Sequence, residues 1–508
     1  MLSKIYSCCF IGLEGHLVEI ETYISSGLPS FNIVGLPDIS VNESKERVRS
    51  AIKNSGFSFP TNRITVNMAP ADIRKEGTYY DLPIALGVLL SSEQIKPVEP
   101  IEDVVFIGEL SLGGKLKKVN GILTMAITMK ELGYRKLILP SDNADEACMI
   151  DGIEVYAASS LEQVVGFLCD EERPAAHSPK AVQNIECLSD LDYLEVKGQE
   201  NAKRALEIAA AGMHNIILIG PPGSGKTMLA KRLPSIMPDL TQQQALEVTK
   251  IYSIAGKLKG KAMVHRPPFR APHHTISAAS LVGGGKIPKP GEISLSHHGV
   301  LFLDEMPEFP KKTLEALRQP MENETVTISR VNATLTYPAK FLLAASANPC
   351  PCGYHGDTGR ECRCSPGEIS RYFGKISGPL LDRIDLQLEV GRVELGDLES
   401  NAAGTGSAEM KERVMKAREM QYNRFMGKDT QYNSQLSVKD IEEMGMMDPK
   451  ALDFLRRAYS RLALSARGYV KIMKVARTIA DLSGKTMVET GDVAEALQYR
   501  ISCAKDGI

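Results

Sequence analysis

The chain has 508 residues, of which 43% are hydrophobic and 24% charged, and its formal net charge at pH 7 is −2. This length predicts about three domains, and the near-neutral charge excludes a polycation that binds nucleic acid through its overall charge. No apolar run approaches the ~18 residues that cross a bilayer, so we expect a chain without membrane spans.

The N-terminal apolar segment, residues 5–13, has the length of a signal-peptide core but lacks its other features. Glu14 interrupts the apolar run, and no small-x-small cleavage site follows it. The continuation through Leu17, Glu19 and Glu21 is typical of a partly alternating strand. Six of the ten cysteines are scattered, which is typical of reduced, intracellular usage: Cys8, Cys9, Cys148, Cys169, Cys187 and Cys503. We therefore expect a cytoplasmic protein.

Composition divides the chain into three domains and two linkers. Residues 1–170 alternate short strand and helix patterns. Residues 171–190 are polar and contain prolines, so they predict a linker. Residues 191–392 form the second domain, and a second linker covers residues 393–410, with a Gly- and Ser-containing loop. Residues 411–508 have helical periodicity and form the third domain.

A phosphate-binding loop is the first motif of the second domain. It lies between residues 215–219, which predict a buried strand, and residues 228–232, which predict a helix. The motif fits G-x-x-x-x-G-K-[ST] and reads Gly220, Pro221, Pro222, Gly223, Ser224, Gly225, Lys226 and Thr227. Its glycines let backbone N–H groups point at phosphate oxygens, Lys226 reaches the β- and γ-phosphates, and Thr227 binds Mg²⁺. We therefore predict an ATP site; a Gly-rich turn with a surface lysine is the alternative.

A second nucleotide motif follows about eighty residues later. Residues 300–303 predict a buried strand that ends in Asp304 and Glu305. Adjacent carboxylates at the end of a buried strand are costly unless something binds them. We predict that Asp304 holds Mg²⁺, directly or through water, and that Glu305 is the general base that polarises the attacking water. The alternative is an exposed strand end with solvated acids.

Four cysteines lie close together within fifteen residues, in a C-x-C-x9-C-x-C pattern at 350–364: Cys350, Cys352, Cys362 and Cys364. Four thiolates suit a tetrahedral structural Zn²⁺, although C-x-C is tighter than the usual C-x2-C. His355 is a substitute ligand. The alternative is a loop of reduced cysteines that are merely neighbours.

Two pairs of adjacent histidines also invite a metal hypothesis. They are His273 with His274 and His297 with His298. Because neighbouring residues on a strand point in different directions, we expect that neither pair shares one ion.

Together, these motifs resemble the AAA+ ATPases and, among them, the magnesium-chelatase-like proteins of the ComM (YifB) type. The resemblance covers almost the whole chain. It is carried by Val196-Lys197-Gly198-Gln199, Phe269 to Ser277, Pro290 to Gly299, Ser377 to Asp385 and Lys474 to Leu482. The fold that it implies is α/β: a P-loop AAA+ three-layer domain, preceded by an α+β domain and followed by a C-terminal helical lid.

The N-terminal domain resembles the Lon-protease type, which is related to domain 2 of ribosomal protein S5. The resemblance is carried by Lys75-Glu76-Gly77, Asp81 to Gly87 and Gly108-Glu109-Leu110. Protease chemistry of this type needs a serine where this chain has Ile84, and a lysine that residues 120–125 do not offer. We therefore expect a non-proteolytic domain for assembly or for DNA and partner contact. Lys115, Lys117 and Lys118 form either a small basic patch or a solvated turn.

The resemblance also implies roles for polar residues outside the two motifs. Asn348 matches sensor 1, and Arg383 matches an arginine finger that reaches the nucleotide of a neighbouring subunit. Arg467 matches sensor 2, with Arg477 as a competing candidate. An arginine finger implies a homo-oligomer, and the resemblance to the family implies that this oligomer is a hexameric ring. As alternatives, Asn348 caps a turn, and Arg383 pairs with Asp382 or Asp385.

Two insertions are similar to loops that face the central pore in related rings. One covers residues 281–290, and the other is a predicted hairpin of residues 325–328 and 334–337. Lys286, Lys289 and Arg330 are the cations expected to contact DNA phosphates. Solvated loop charges are the alternative.

The function that the resemblance implies is ATP-driven movement on DNA. It would be branch migration during recombination of incoming DNA in natural transformation, with single-stranded or branched DNA and recombination or competence proteins as partners. Two other classes stay open: a chelatase-type motor that acts on a tetrapyrrole-binding partner, and an ATP-dependent remodelling factor or protease.

Overall fold

The computed structural model describes residues 2–169, 175–178, 191–258, 263–285, 288–330, 333–357, 359–393, 396, 404–428, 430–444, 446–462 and 464–501, with the backbone alone at 330, 333 and 501. They form two compact units. Met1–Ile185 and Thr249–Met263 make the first, and Glu186–Val248 and Val264–Ile508 the second. At least half of each expected linker lies outside the described residues, so the three-domain division stays a prediction.

The first unit is built on a seven-stranded mixed sheet. Its strands are β1 (Leu2–Ile11), β2 (Glu14–Ser25), β3 (Ser30–Val34), β4 (Arg63–Ala69), β5 (Val104–Phe106), β8 (Lys136–Pro140) and β9 (Glu154–Ala158), with a separate short pair β6 (Glu109–Leu110) and β7 (Leu116–Lys117). The order is β3-β4-β2-β1-β5-β8-β9. The helices are Ile39–Asn54, Asp81–Ser91, Ile122–Glu131, Ala144–Ala147 and Leu161–Cys169, with a 3-10 turn at Ser141–Asn143.

The N-terminal apolar pattern forms two strands rather than the one that we expected. Gly12 turns the chain with a φ of +62°, which glycine adopts without steric cost. β1 and β2 then pair antiparallel from Leu2 opposite Tyr23 to Ile11 opposite Glu14. The apolar run at residues 84–90 lies in the core helix Asp81–Ser91, where Ile84 and Leu86 are wholly buried.

The second unit contains a five-stranded sheet whose strands all run parallel. In chain order they are β10 (Ile216–Ile219), β11 (Phe269–Arg270), β14 (Val300–Leu303), β17 (Leu342–Ala347) and β18 (Leu386–Glu389). Their order across the sheet is β11-β14-β17-β10-β18. Every residue of β10, β14 and β17 is buried, which explains their continuous apolar runs. Ligands of such sheets bind at the carboxyl ends of the strands.

Helices surround this sheet and continue to the C-terminus. They are Glu200–Gly212, Lys226–Lys231, Leu233–Ile236, Gln242–Ile254, Ala278–Val282, Glu292–Leu295, Lys311–Glu315, Arg318–Asn323, Pro366–Phe373, Gly378–Leu381, Ser407–Phe425, Val438–Glu443, Pro449–Arg461, Ala466–Leu482 and Thr490–Ile501. Short 3-10 turns lie at Tyr193–Glu195, Met306–Glu308 and Asn433–Gln435. One hydrophobic core joins Leu206 and Phe302 of the sheet region to Ile472 and Ile479 of the C-terminal helices.

The expected hairpin in the second unit is confirmed, with slightly longer strands. β15 (Thr325–Arg330) pairs antiparallel with β16 (Ala333–Pro338). A smaller pair, β12 (Gly283–Gly284) with β13 (Lys289–Pro290), bounds the other expected insertion. Within the part of the chain that is described, no helix has the length and apolarity of a membrane span.

Candidate nucleotide site

The phosphate-binding loop connects β10 to the helix Lys226–Lys231, at the carboxyl edge of the second unit's sheet. Two features explain its glycines. A Cβ at Gly220 would lie 2.1 Å from the carbonyl oxygen of Val390, so only glycine fits there. Gly223 and Gly225 have φ values of +80° and +87°, which other L-residues rarely adopt.

Lys226 lies inside the loop. Its side chain is almost completely buried, and Nζ donates hydrogen bonds to the carbonyl oxygens of Gly220 at 2.7 Å and Pro221 at 2.8 Å. Burial lowers the pKa of the Lys226 ammonium to about 8, although the charges of Asp304 and Glu305 act in the opposite direction. Phosphate groups at this loop would add negative charge and favour the protonated ammonium.

Two oxygens that fit a magnesium ion lie next to Lys226. Thr227 Oγ1 donates a hydrogen bond to Asp304 Oδ2 at 2.9 Å. Hydroxyl and carboxylate oxygens are the ligands that Mg²⁺ prefers, and it usually completes its shell with phosphates and water. Thr227 and Asp304 would therefore hold the ion, which would neutralise phosphate charge when bound.

Ser346 connects the two acidic residues, a role that the sequence did not reveal. Its Oγ donates to Asp304 Oδ1 at 2.5 Å and accepts from the backbone N–H of Glu305 at 2.9 Å. Ser346 is wholly buried in β17, between β14 and β10. The only sequence signal was one hydroxyl within an apolar strand.

Glu305 follows Asp304 directly but faces solvent. Its φ is +52°, in the left-handed region, and it precedes the 3-10 turn Met306–Glu308. A non-glycine residue in this conformation is strained by about 1–3 kcal/mol, and such strain is concentrated at functional sites. The turn leaves the Glu305 carboxylate exposed, where a water molecule can approach it.

Asn348 follows β17 and reaches the same edge of the sheet. Its Oδ1 lies 3.4 Å from Lys226 Nζ. The structure therefore brings together the predicted phosphate-binding loop, Asp304, Glu305 and Asn348. This follows from the parallel order β14-β17-β10, because the carboxyl ends of these strands are neighbours.

A cavity of about 460 Å³ opens beside the phosphate-binding loop. Its lining consists of Val196, Lys197, Gln199, Pro222, Gly223, Ser224, Gly225, Met228, Leu229, Tyr354, Arg360, Arg392 and Val393. This volume is in the range of small-molecule and cofactor sites. Tyr354, Arg360 and Arg392 were not among the predicted site residues, because no local motif marks them.

Arg383 lies at the opposite, amino edge of the sheet. The Asn215 side chain donates to the Arg383 carbonyl oxygen at 3.0 Å, and Asn215 precedes β10 whereas the phosphate-binding loop follows it. The Arg383 guanidinium pairs with Glu322, not with the two aspartates considered from the sequence. Asp385 instead pairs with Lys471 at 3.1 Å.

The two sensor 2 candidates differ in accessibility. Arg477 is wholly buried, and its Nη2 donates to Asp481 Oδ1 at 2.8 Å and to the Lys485 carbonyl oxygen at 2.6 Å. Arg467 keeps 66% of its side chain exposed, and its Nη1 lies 3.7 Å from Asp382, the residue before Arg383. Arg467 therefore keeps most of its side chain accessible, whereas Arg477 is held by its neighbours.

We expect Arg477→Met to lower the free energy of unfolding by about 3 kcal/mol, because it leaves a buried carboxylate with one partner fewer. Arg467→Met should leave that free energy almost unchanged, since the side chain is exposed. Urea unfolding of both variants would measure the difference. If Arg477→Met were as stable as the unmodified protein but lost ATP turnover, Arg477 would be the sensor instead.

Both histidine pairs contradict our expectation that their rings point apart. The rings of His297 and His298 lie 4.0 Å apart, and their Nε2 atoms are 3.3 and 3.0 Å from the same Glu247 oxygen. They occupy a turn before β14, where the φ of His298 is +55°, and not a strand. His273 and His274 also lie side by side, with ring centroids 4.1 Å apart.

Hydrogen bonding nevertheless disfavours a metal at the His297 pair. The backbone N–H of Lys340 donates to His297 Nδ1 at 3.1 Å. In a neutral ring this leaves the proton on Nε2, which donates to Glu247 and has no lone pair for a metal ion. We interpret this group as a hydrogen-bond network between the turn, the segment just before β17 and the helix Gln242–Ile254.

All four predicted zinc ligands do converge. Cys350 Sγ lies 3.3 Å from Cys352 Sγ and 3.6 Å from Cys362 Sγ, and the four sulfur atoms lie within 4.8 Å of one another. Tetrahedral zinc with bonds of about 2.3 Å needs sulfur atoms about 3.8 Å apart. His355, the proposed substitute, is not part of this group.

The remaining candidates are only partly described. Lys286 and the side chain of Arg330 lie outside the described residues, and Lys289 is exposed in β13. DNA contact by these cations stays a prediction.

Comparisons with known proteins match nearly the whole chain. Three family models match: magnesium chelatase subunit ChlI at residues 192–398, subunit ChlI of Mg-chelatase at 20–143, and the ChlI C-terminal model at 404–500. Competence protein ComM of Haemophilus influenzae is 44% identical over 503 residues, 98% of this chain and 97% of the relative. The uncharacterized protein YifB of Escherichia coli is 42% identical over 500 residues, with 98% and 97% covered. A Mycobacterium tuberculosis protein is 41% identical over 506 residues, 99% of both.

Proposed function

This chain belongs to the magnesium-chelatase-like family that includes ComM and YifB, and we propose that it is a ring-forming ATPase that moves along DNA. The observation that carries the ATPase proposal is the convergence of Lys226, Thr227, Asp304 and Asn348 at one edge of a parallel sheet. The proposal includes a Lon-like N-terminal domain, a C-terminal helical lid and a cytoplasmic location.

Each residue has a distinct role in hydrolysis. Lys226 binds the β- and γ-phosphates, and Thr227 and Asp304 hold Mg²⁺. Glu305 accepts a proton from the attacking water, and Asn348 positions that water near the γ-phosphate. Ser346 acts as a positioning residue, because its hydroxyl fixes both the Asp304 carboxylate and the Glu305 backbone.

The position of Arg383 supports a shared site between copies of the chain. β10 has four residues and therefore separates the two edges of the sheet by about 13 Å. Arg383 lies at the amino edge, so it does not serve the phosphates bound by its own chain. A second copy would receive it as an arginine finger, and Arg467 would reach the same neighbour. In a closed ring, every copy donates its Arg383 to one neighbour and receives that of the other. The resemblance to the family implies that this ring is a hexamer.

Glu322 links the finger to the proposed DNA contact. It lies in the last turn of the helix Arg318–Asn323, three residues before the hairpin β15–β16 begins at Thr325. Movement of the hairpin on DNA would shift Glu322 and change the freedom of Arg383. This connection supports coupling between DNA contact and ATP hydrolysis, and the named function of the relative ComM supports a role in competence.

A branch-migration assay tests the proposed function. The full chain is mixed with a three-stranded DNA whose branch point must move to release a labelled strand. We expect ATP-dependent release, and none with Glu305→Gln. If ATP were hydrolysed while the branch point stayed in place, the DNA proposal would fail.

A chelatase-type or remodelling motor remains the second candidate, favoured by the matching chelatase subunit models. It would use the same ATP site on a protein or tetrapyrrole-binding partner. Protease activity is disfavoured because Ile84, at the position of the serine, is a wholly buried apolar residue.

A further inference from the structure

The cysteine loop, residues 350–364, forms part of the nucleotide cavity. It begins two residues after Asn348, so the chain passes from the proposed sensor directly into the loop. Gly353 packs against the phosphate-binding loop, because a Cβ there would lie 2.7 Å from Pro222 Cγ and Cδ. Tyr354 and Arg360 of the loop line the cavity.

Two arginines lie close to the Tyr354 ring at this wall. Arg360 Nη1 donates to the Tyr354 hydroxyl at 2.9 Å, and the Arg360 guanidinium carbon lies 5.2 Å from the ring centroid. The Arg392 guanidinium carbon lies 5.9 Å from the same ring, and Arg392 also pairs with Asp357 of the loop at 2.8 Å. Such a group offers a flat aromatic surface for a base and cations for ribose or phosphate oxygens.

Little regular structure holds this wall in place. The described residues of the loop, 350–357 and 359–364, form turns and bends without a helix or strand. They include Gly353, Gly356 and Gly359, whose backbone freedom makes ordering costly. A cross-link at both ends of the loop would offset this cost.

The four cysteines are placed to provide that cross-link. Cys350 and Cys352 lie at the start of the loop, Cys362 and Cys364 at its end, and their sulfur atoms converge. Cys352 Sγ is 3.7 Å from Cys362 Sγ, and the backbone N–H of Cys364 donates to Cys362 Sγ at 3.4 Å. Four sulfur ligands favour zinc and leave no open position for catalysis.

We propose that zinc bound by Cys350, Cys352, Cys362 and Cys364 fixes the loop as the outer wall of the nucleotide cavity, so that metal occupancy sets the affinity for ATP. Tyr354 and Arg360 are then specificity-determining residues for the nucleotide. The inference rests on the proposed ATP site. It assigns this loop a role in binding ATP, whereas Lys226 and Glu305 keep their own roles.

The test measures zinc content and nucleotide affinity separately, on the full chain. Elemental analysis should give one zinc per chain. The double variant with Cys352→Ser and Cys364→Ser should have lost this zinc. A fluorescent ATP analogue should bind about tenfold more weakly to that variant and to chelator-treated protein, and zinc alone should restore the treated protein. Cys169→Ser, an exposed cysteine outside the loop, is the matched control.

Tyr354→Ala and Arg360→Ala separate a direct contribution of the cavity wall to nucleotide affinity from a loss of affinity through general destabilisation. Both should keep the zinc and weaken binding of the analogue. Unchanged affinity after zinc removal, or a purified chain without zinc, would overturn the inference and leave the ATPase proposal intact. Unchanged binding in Lys226→Ala would instead refute the ATP site itself.

Discussion

Glu305→Gln should still bind ATP but turn it over about 10²–10⁴-fold more slowly. The amide keeps the size of the side chain and the backbone turn, but it cannot accept a proton from water. Since Asp304, Thr227 and Lys226 are unchanged, binding of the nucleotide should persist. A phosphate-release assay together with a fluorescent ATP analogue measures both quantities.

Lys226→Ala is the contrasting control for Glu305→Gln. It removes the ammonium that lies inside the phosphate-binding loop, so nucleotide binding itself should be lost. Normal turnover by Glu305→Gln would remove Glu305 from the role of general base and direct attention to another acid.

Arg383→Ala should bind ATP normally and lose about 10³-fold or more of its turnover, because an arginine finger stabilises charge that develops on the transferring phosphoryl group. The same assays measure this variant. Mixing it with Lys226→Ala should restore part of the activity: the first variant supplies intact phosphate-binding loops and the second supplies intact fingers. Glu322→Gln, which removes the pairing charge but keeps Arg383, should retain turnover.

Two results would contradict the shared site. Arg383→Ala with normal turnover would show that the residue only pairs with Glu322. A mixture that assembles but stays inactive would show that the finger does not act across copies of the chain.

Local motifs were predictable from the sequence, because their chemistry depends on spacing along the chain. The phosphate-binding loop and the Asp304-Glu305 pair each follow a buried strand, and the structure places both as expected. Parallel pairing then brings Asn348 to the same edge.

Features that depend on distant residues were not predictable. Ser346, Tyr354 and Arg392 carry no local pattern, and they reach the site only through strand order and loop packing. Helical periodicity alone did not reveal that Arg477 is buried and Arg467 exposed, and the sensor 2 role of Arg467 stays a prediction. The histidine pairs were misjudged because we assumed a strand where the chain turns.

ATP turnover by the purified chain, with and without single-stranded and branched DNA, tests the central claim most directly. Glu305→Gln serves as the blank. We expect both DNAs to raise ATP turnover. On branched DNA, we also expect the junction to move. Robust turnover that is indifferent to both DNAs would contradict movement on DNA and favour a motor for a protein or tetrapyrrole-binding partner.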